Sequence, residues 1–231
     1  MALALAEAGA RVAVIDRDSD GLADTALKLR ALGSEPLVLA ADVVQASAME
    51  ATVAKTTDQF GSLDITIPNA GISEGRPGLL HEMPREDWQR VMAVNLDGVY
   101  NTIRPALAQM SAQGRGKLIL VGSMFGLAAP AGIFPRPAYA ASKGAIANLT
   151  RELALEYAPL NIQVNAVMPG FFRTRTRPRN AELARQMADY TPVGRLAEAE
   201  ELKGTIVYLA SKATDFMTGN LLVIDGGVVA R

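Results

Sequence analysis

Apolar residues along this chain follow two rhythms that take turns. Short unbroken runs at Arg11 to Ile15, Pro36 to Ala40, Leu63 to Ile67, Lys117 to Val121, Ile162 to Val167 and Leu221 to Ile224 read as strands. Between them, apolar positions recur three and four apart. That spacing predicts helices over Met1 to Gly9, Leu22 to Leu32, Met49 to Phe60, Glu86 to Met110, Tyr139 to Tyr157 and Glu198 to Ala210. Gly9, Gly33 and Gly61 supply the stops of the first three. Pro105 deletes a backbone donor inside the fourth and predicts a bend there. Strands alternating with helices of this length mean βαβ units with right-handed crossovers, hence an α/β fold built on a doubly wound parallel sheet. No linker composition interrupts the alternation, so residues 1–231 are expected to form one domain.

Composition narrows the chemistry. An apolar fraction of 49% and a charged fraction of 20% are those of an ordinary globule. A net charge of −1 offers no electrostatic footprint for nucleic acid or an anionic membrane. No apolar run approaches the ~18 residues of a membrane span, and no export signal is present, so the cytoplasm is the expected compartment. Cysteine is absent, which excludes disulfides, thiol catalysis and thiolate metal sites. His81 is the only histidine and reads as a loop residue. Ser123 lies in Gly-Ser-Met-Phe-Gly and not in a G-x-S-x-G elbow, so a Ser-His-Asp hydrolase is disfavoured, and no metal site is expected.

The informative stretch runs from Gly122 to Thr150. Tyr139 and Lys143 are spaced i, i+4 at the start of a helix, so they share a face one turn apart. A free phenol titrates near pH ~10. A nearby ammonium favours the phenolate, which suits Tyr139 to general acid/base work. Ser123 follows the strand Lys117 to Val121 and so stands at its carboxyl end, where open α/β sheets place their ligands. Asp16 ends the first visible strand. A carboxylate there can accept from both ribose hydroxyls of an adenosine and would repel a 2′-phosphate, although Arg17 beside it could meet one.

With Asn69-Ala70-Gly71, Asn95, Ser123, Tyr139, Lys143, Pro169-Gly170 and Asp225-Gly226-Gly227 in this order, the chain resembles the short-chain dehydrogenase/reductase family of the classical type over nearly its whole length. The resemblance implies a Rossmann-like fold and an oxidoreductase that moves a hydride between a nicotinamide dinucleotide and a secondary alcohol or ketone. It implies Ser123, Tyr139, Lys143 and Asn95 as the catalytic set, with Asn95 fixing a water that links Lys143 to solvent. It also implies cofactor contacts at Asp16, Asp42 and Val43 (adenosine), at Asn69, Ala70 and Gly71, at Tyr139 and Lys143, and at Pro169, Gly170 and Thr174 (nicotinamide). NAD is expected ahead of NADP because of Asp16. A homotetramer or homodimer is expected from the family.

Two departures from the family stand out. Pro68 occupies a position where the family usually has Asn before the Asn-Ala-Gly triplet. The family also opens with a strand and a Gly-rich turn that cradles the pyrophosphate, whereas this sequence begins inside the following helix, roughly 15–20 residues in. That strand would lie between the one ending at Asp16 and the one ending near Asn69. Three expectations follow: a late start of the given sequence, a shortened member that binds no dinucleotide, or a sheet that closes up or borrows a strand. The alternatives to an NAD-linked dehydrogenase are therefore a non-catalytic scaffold of the same fold and an NADP-linked carbonyl reductase.

Two further stretches bear on substrate. Met124 to Pro137 is apolar and is expected to wall the pocket. Arg173, Arg175, Arg177 and Arg179 alternate along an extended segment, so a positive lip over the pocket could recruit a carboxylate or phosphate, such as a sugar acid or hydroxy acid. A solvated lid with compensating acids is the competing reading.

Overall fold

Each predicted apolar run becomes a parallel strand, and helices cover both faces of the larger sheet. The computed structural model describes residues 1–76, 78–129, 135–174 and 180–230. The elements are α1 (Ala2–Glu7), β1 (Ala13–Asp16), α2 (Ser19–Ala31), β2 (Leu37–Ala40), α3 (Ala46–Phe60), β3 (Ile65–Thr66) and α4 (Arg85–Met92). They continue with α5 (Gly98–Gln113), β4 (Gly116–Val121), α6 (Pro137–Tyr157), β5 (Ile162–Pro169), α7 (Ala181–Tyr190), α8 (Lys203–Ala210) and β6 (Leu221–Ile224).

Side chains alternate across β4, and this explains its uninterrupted apolar sequence. Leu118 and Leu120 enter one cluster with Ile103 and Leu107 of α5 and Ile146 and Leu153 of α6. Ile119 enters the opposite cluster with Ile206 and Leu209 of α8. Both faces are covered from Leu118 on, and the strand's one charged residue, Lys117 near its start, reaches out to Thr214 Oγ1 and Asp215. The register pairs Val121 with Val167 and Pro169 with Ile224, which brings the carboxyl ends of β4, β5 and β6 to one rim.

The sheet is divided. β3-β4-β5-β6 form one parallel unit and β1-β2 another. A small cluster of Val12, Val14, Leu22 and Leu29 holds β1 to α2 and α1. Among the described residues, no strand lies between β1 and β3. Both line a single cavity of about 970 Å³, together with Thr52, Thr56 and Phe60 of α3. The sheet has therefore not closed up across the break. Thr66 carries a buried hydroxyl without a hydrogen-bond partner on β3. Strand ends that face an opening have backbone and side-chain polar groups with no ladder to join.

The helix predicted over Glu86 to Met110 is interrupted, and not at Pro105. α4 and α5 are joined by a π-helical turn, Ala93–Asp97, with Asn95 at its centre, and α5 runs on through Pro105. The wider turn is where a side chain is aimed sideways into the site. β3 is only two residues long, shorter than the run Leu63 to Ile67, because its outer edge has no partner to extend the ladder. The last long helix starts as a 3₁₀ turn, Ala199–Leu202, before α8. One helix escaped the pattern altogether: α7 is short, and Leu183, Met187, Ala188 and Tyr190 mark its inner face. Its signal was Asn180, whose Oδ1 accepts from Leu183 N–H at 2.7 Å as an N-cap. Among the described residues, no helix is long and apolar enough to cross a membrane.

Candidate active site

Three pieces converge at the rim of β4: the turn after the strand, the first turns of α6, and the loop after β3. Ser123 ends the strand and N-caps a 3₁₀ turn, Met124–Gly126, its Oγ accepting from Phe125 N–H at 3.2 Å. Among the described residues its own hydroxyl donates to no partner, so the proton is left to point at a ligand. That turn presses on α6 backbone to backbone. A Cβ on Gly126 would collide with the carbonyl of Lys143, so only glycine lets Ser123 come this near the helix.

Pro137 opens α6, its fixed φ suited to the first helical position. Tyr139 and Lys143 then share a face as the spacing predicts. Lys143 Nζ lies 5.8 Å from the centroid of the Tyr139 ring, within cation–π reach. The lysine is 4% exposed, and its Nζ donates to the Val121 carbonyl at 2.7 Å. Burial of the charge pushes its pKa down from 10.5 to about 8.

Asn95 is fully buried and ties the other two pieces together. Its Oδ1 accepts from Ile72 N–H at 2.8 Å. Its Nδ2 donates to the Ile72 carbonyl at 2.9 Å and to Ser142 Oγ at 3.0 Å. Ser142 Oγ in turn donates to the Tyr139 carbonyl at 2.7 Å. Both amide hydrogens are thus taken within the protein. The side chain joins the loop after β3 to the helix of Tyr139.

The residues expected at a dinucleotide fall into two groups. Asp16, Asp42, Val43, Asn69, Ala70 and Gly71 line a second cavity of about 290 Å³. Pro68 lines it too, in place of the family's Asn. Asp16 accepts Asp18 N–H on Oδ1 at 3.0 Å, which leaves its other oxygen toward solvent. Asp42 is engaged by Val44 N–H at 3.2 Å and by Arg17 Nη1 at 3.3 Å. Gly71 bridges this cavity to the buried pair Asn95 and Lys143, since a Cβ on it would meet Asn95 Oδ1 and Lys143 Nζ, each at 3.6 Å. Neither cavity is lined by Ser123, Tyr139 or Lys143. Those residues adjoin the smaller one only through Gly71. The larger is the gap between strands, and it shares Asp16 and Asn69 with the smaller.

At the residues expected near a nicotinamide, Pro169 ends β5 and Gly170 N–H donates to the Ile224 carbonyl at 2.9 Å. A Cβ on Gly170 would stand 2.6 Å from the Asp225 Cα, so the two segments touch there. Asp225 holds its own turn by accepting from Gly227 N–H at 2.8 Å and Val229 N–H at 2.7 Å. Thr174 lies four residues past Gly170, at the end of this described segment.

The apolar wall is aromatic. Phe125 meets the Tyr139 ring edge-to-face at 5.7 Å, Phe171 meets Phe125 at 6.2 Å, and Tyr190 of α7 meets Phe171 at 6.4 Å. Of the expected arginine lip, Arg173 is paired with Glu198 at 3.1 Å on the surface. Arg175, Arg177 and Arg179 lie outside the described residues, as does part of the wall at 130–134.

Phe125 and Gly126 fall in the stretch expected to wall the pocket, whereas the roles of Ser142 and Glu74 have no counterpart in the sequence expectations. Ser142 was within sight, three residues after Tyr139 on the same helix. Glu74 had no local signal: it sits in an irregular loop and its partner is 65 residues away.

A family model described as enoyl-(acyl carrier protein) reductase matches residues 1–229. Cis-4-hydroxycyclohexanecarboxylate dehydrogenase of Sinomonas cyclohexanicum is 39% identical over 98% of this chain and 89% of its own length. A short-chain type dehydrogenase/reductase from Mycobacterium marinum superposes with a TM-score of 0.94 at 37% identity, over 100% of this chain and 90% of that one. A gluconate 5-dehydrogenase from Burkholderia cenocepacia J2315, solved with NADP and tartrate, superposes with a TM-score of 0.90 at 34% identity, over 100% of this chain and 89% of that one.

Proposed function

Because this chain belongs to the short-chain dehydrogenase/reductase family, we propose that it is an oxidoreductase interconverting a secondary alcohol and its ketone with NAD(H). The observation that carries this reading is the buried Lys143 ammonium 5.8 Å from the Tyr139 ring, at the strand end that also presents Ser123.

The residues present suit a dinucleotide at both ends. The cavity lined by Asp16, Asp42 and Val43 would take the adenosine. Gly71 beside Lys143 gives the close backbone approach that the nicotinamide ribose needs, and Pro169, Gly170 and Thr174 would meet the nicotinamide. When bound, the nicotinamide supplies or accepts the hydride. The side chains do the rest. Ser123 donates its free hydroxyl proton to the substrate oxygen and stabilises charge developing there. Tyr139 gives or takes the proton at that oxygen. Lys143, held one turn away, favours the phenolate and binds the ribose. Asn95 keeps the loop after β3 in register with Tyr139.

Two finer points belong to the same reading. NAD is preferred because Asp16 offers a carboxylate oxygen to the ribose and would repel a 2′-phosphate. The opposite preference has one specific support: Arg17 reaches toward Asp42 at the same cavity, and the gluconate 5-dehydrogenase relative holds NADP. The substrate carries an acid group, a hydroxy acid or sugar acid. This is supported by relatives named for hydroxycyclohexanecarboxylate and gluconate, whereas the pairing of Arg173 with Glu198 fits a solvated lid with compensating acids. The protein assembles as a homotetramer or homodimer, in line with exposed Tyr100 on α5 and Leu155 on α6.

Titration of the purified chain with NADH and NADPH, followed by fluorescence transfer or thermal shift, tests the core of this. Tighter NADH binding is expected, and no response to either cofactor would overturn it. Anionic and neutral alcohols compared in an Arg173→Ala, Arg175→Ala variant test the acid preference. Loss confined to the anionic substrates is expected, and equal loss on both removes it.

A further inference from the structure

Glu74 is the most buried carboxylate among the described residues, 3% exposed, and the reaction as derived above makes no use of it. It lies in the loop that follows Asn69-Ala70-Gly71. Its Oε1 accepts the backbone N–H of Tyr139 at 3.0 Å. Its Oε2 has no hydrogen-bond partner and lies 4.0 Å from Arg136 Nη1. The same Nη1 donates to Ser73 Oγ at 3.2 Å and to the backbone carbonyl of Glu74.

Tyr139 is the third residue of α6, so its N–H has no acceptor within the helix. Arg136, at the N-cap position, makes no side-chain cap bond. The missing cap is supplied from a distant segment by Glu74, whose negative charge also suits the positive end of the helix. Both backbone groups of Tyr139 are thus gripped: its N–H by Glu74 and its carbonyl by Ser142. The two grips lead back to one loop, because Ser142 is held by Asn95, and Asn95 is bonded to both backbone groups of Ile72. Gly71, adjacent to Ile72, lines the cofactor cavity.

We propose that Glu74, buttressed by Arg136, is a positioning residue: it sets the placement of Tyr139 and ties it to the loop that contacts the dinucleotide. The proposal rests on the oxidoreductase reading for its effect on turnover, and on geometry alone for its effect on the Tyr139 backbone. A buried carboxylate oxygen without a hydrogen bond is costly to keep, and the Arg136 guanidinium 4.0 Å away is the group placed to offset that cost.

The test uses Glu74→Ala and Glu74→Gln in the full chain. The glutamine keeps an oxygen acceptor for Tyr139 N–H, and the alanine keeps none. In Glu74→Ala, kcat is expected to fall at least 20-fold, while KM for the alcohol and Kd for NADH stay within threefold. Glu74→Gln is expected to recover kcat to within fivefold of the parent. Amide hydrogen exchange of the segment spanning Tyr139 gives a readout independent of activity: it should quicken at least tenfold in the alanine variant and stay near the parent in the glutamine variant. If the parent shows no turnover, the oxidoreductase reading fails while the exchange experiment still decides the grip on Tyr139. Unchanged kcat in Glu74→Ala, equal losses in both variants, or a loss of kcat matched by loss of NADH affinity would overturn the proposal.

Discussion

Lys143 Nζ stands 2.7 Å from the carbonyl oxygen of Val121, so the ammonium rests on a neutral acceptor at the last residue of β4. Burial without a countercharge lowers its pKa to about 8. The unfolded chain keeps this proton up to about 10.5, and the folded chain only up to about 8, so folding releases a proton between those values. Stability attributable to Lys143 therefore increases as pH rises through that window, opposite to a lysine that gains a carboxylate partner. The parent should gain on the order of 3 kcal/mol relative to Lys143→Met between pH 7 and pH 10.5, at 1.36 kcal/mol per pKa unit. Denaturant titrations of both proteins across this range check it. A constant gap would show that burial of the charge is not the cause.

Tyr139→Phe removes the phenol oxygen and leaves the edge-to-face contact with Phe125 in place. Turnover should drop by roughly 10²–10⁴, the usual worth of a positioned proton donor. NADH affinity and thermal midpoint should stay almost unchanged, read by fluorescence titration and calorimetry. Turnover at the parent level would remove the proton-transfer assignment.

Asp16→Ala deletes the carboxylate at the end of β1 while leaving the Arg17–Asp42 pair standing. The ratio of NADPH to NADH dissociation constants should fall by about tenfold, the effect of one charge-assisted hydrogen bond of ~1.5 kcal/mol. An unaltered ratio would place cofactor choice elsewhere, with Arg17 the first residue to substitute.

Gly170→Ala and Gly204→Ala should act with opposite signs. A Cβ at 170 would stand 2.6 Å from the Asp225 Cα and must push backbone apart, whereas at 204, inside α8, nothing lies within 4 Å. The first should destabilise by about 1–3 kcal/mol, as overpacking does. The second should stabilise by roughly 0.5–1 kcal/mol, the helix cost of glycine against alanine. Equilibrium unfolding of the two variants decides both signs.

How far the sequence reached depended on the range of the signal. Tyr139 and Lys143 were legible because helical spacing alone sets their shared face, and Ser123 because a strand end fixes its rim. The apolar run at β4 announced a strand covered twice, and its side chains divide between two clusters as a covered strand must. The bend in the long helix was put at Pro105, since a missing donor is visible in sequence. The actual irregularity is the π turn at Asn95, stabilised by bonds to Ile72 and Ser142 that no local pattern encodes. The cap on Tyr139 by Glu74 was invisible for the same reason. α7 was missed because ten residues with a few scattered inward apolar positions barely register beside a neighbouring arginine-rich segment.

The contact between Gly126 and the Lys143 carbonyl has a mechanical meaning. The segment that carries Ser123 and the helix that carries Lys143 are seated on one another main chain to main chain, so a side chain grown at 126 would dislodge both at a stroke.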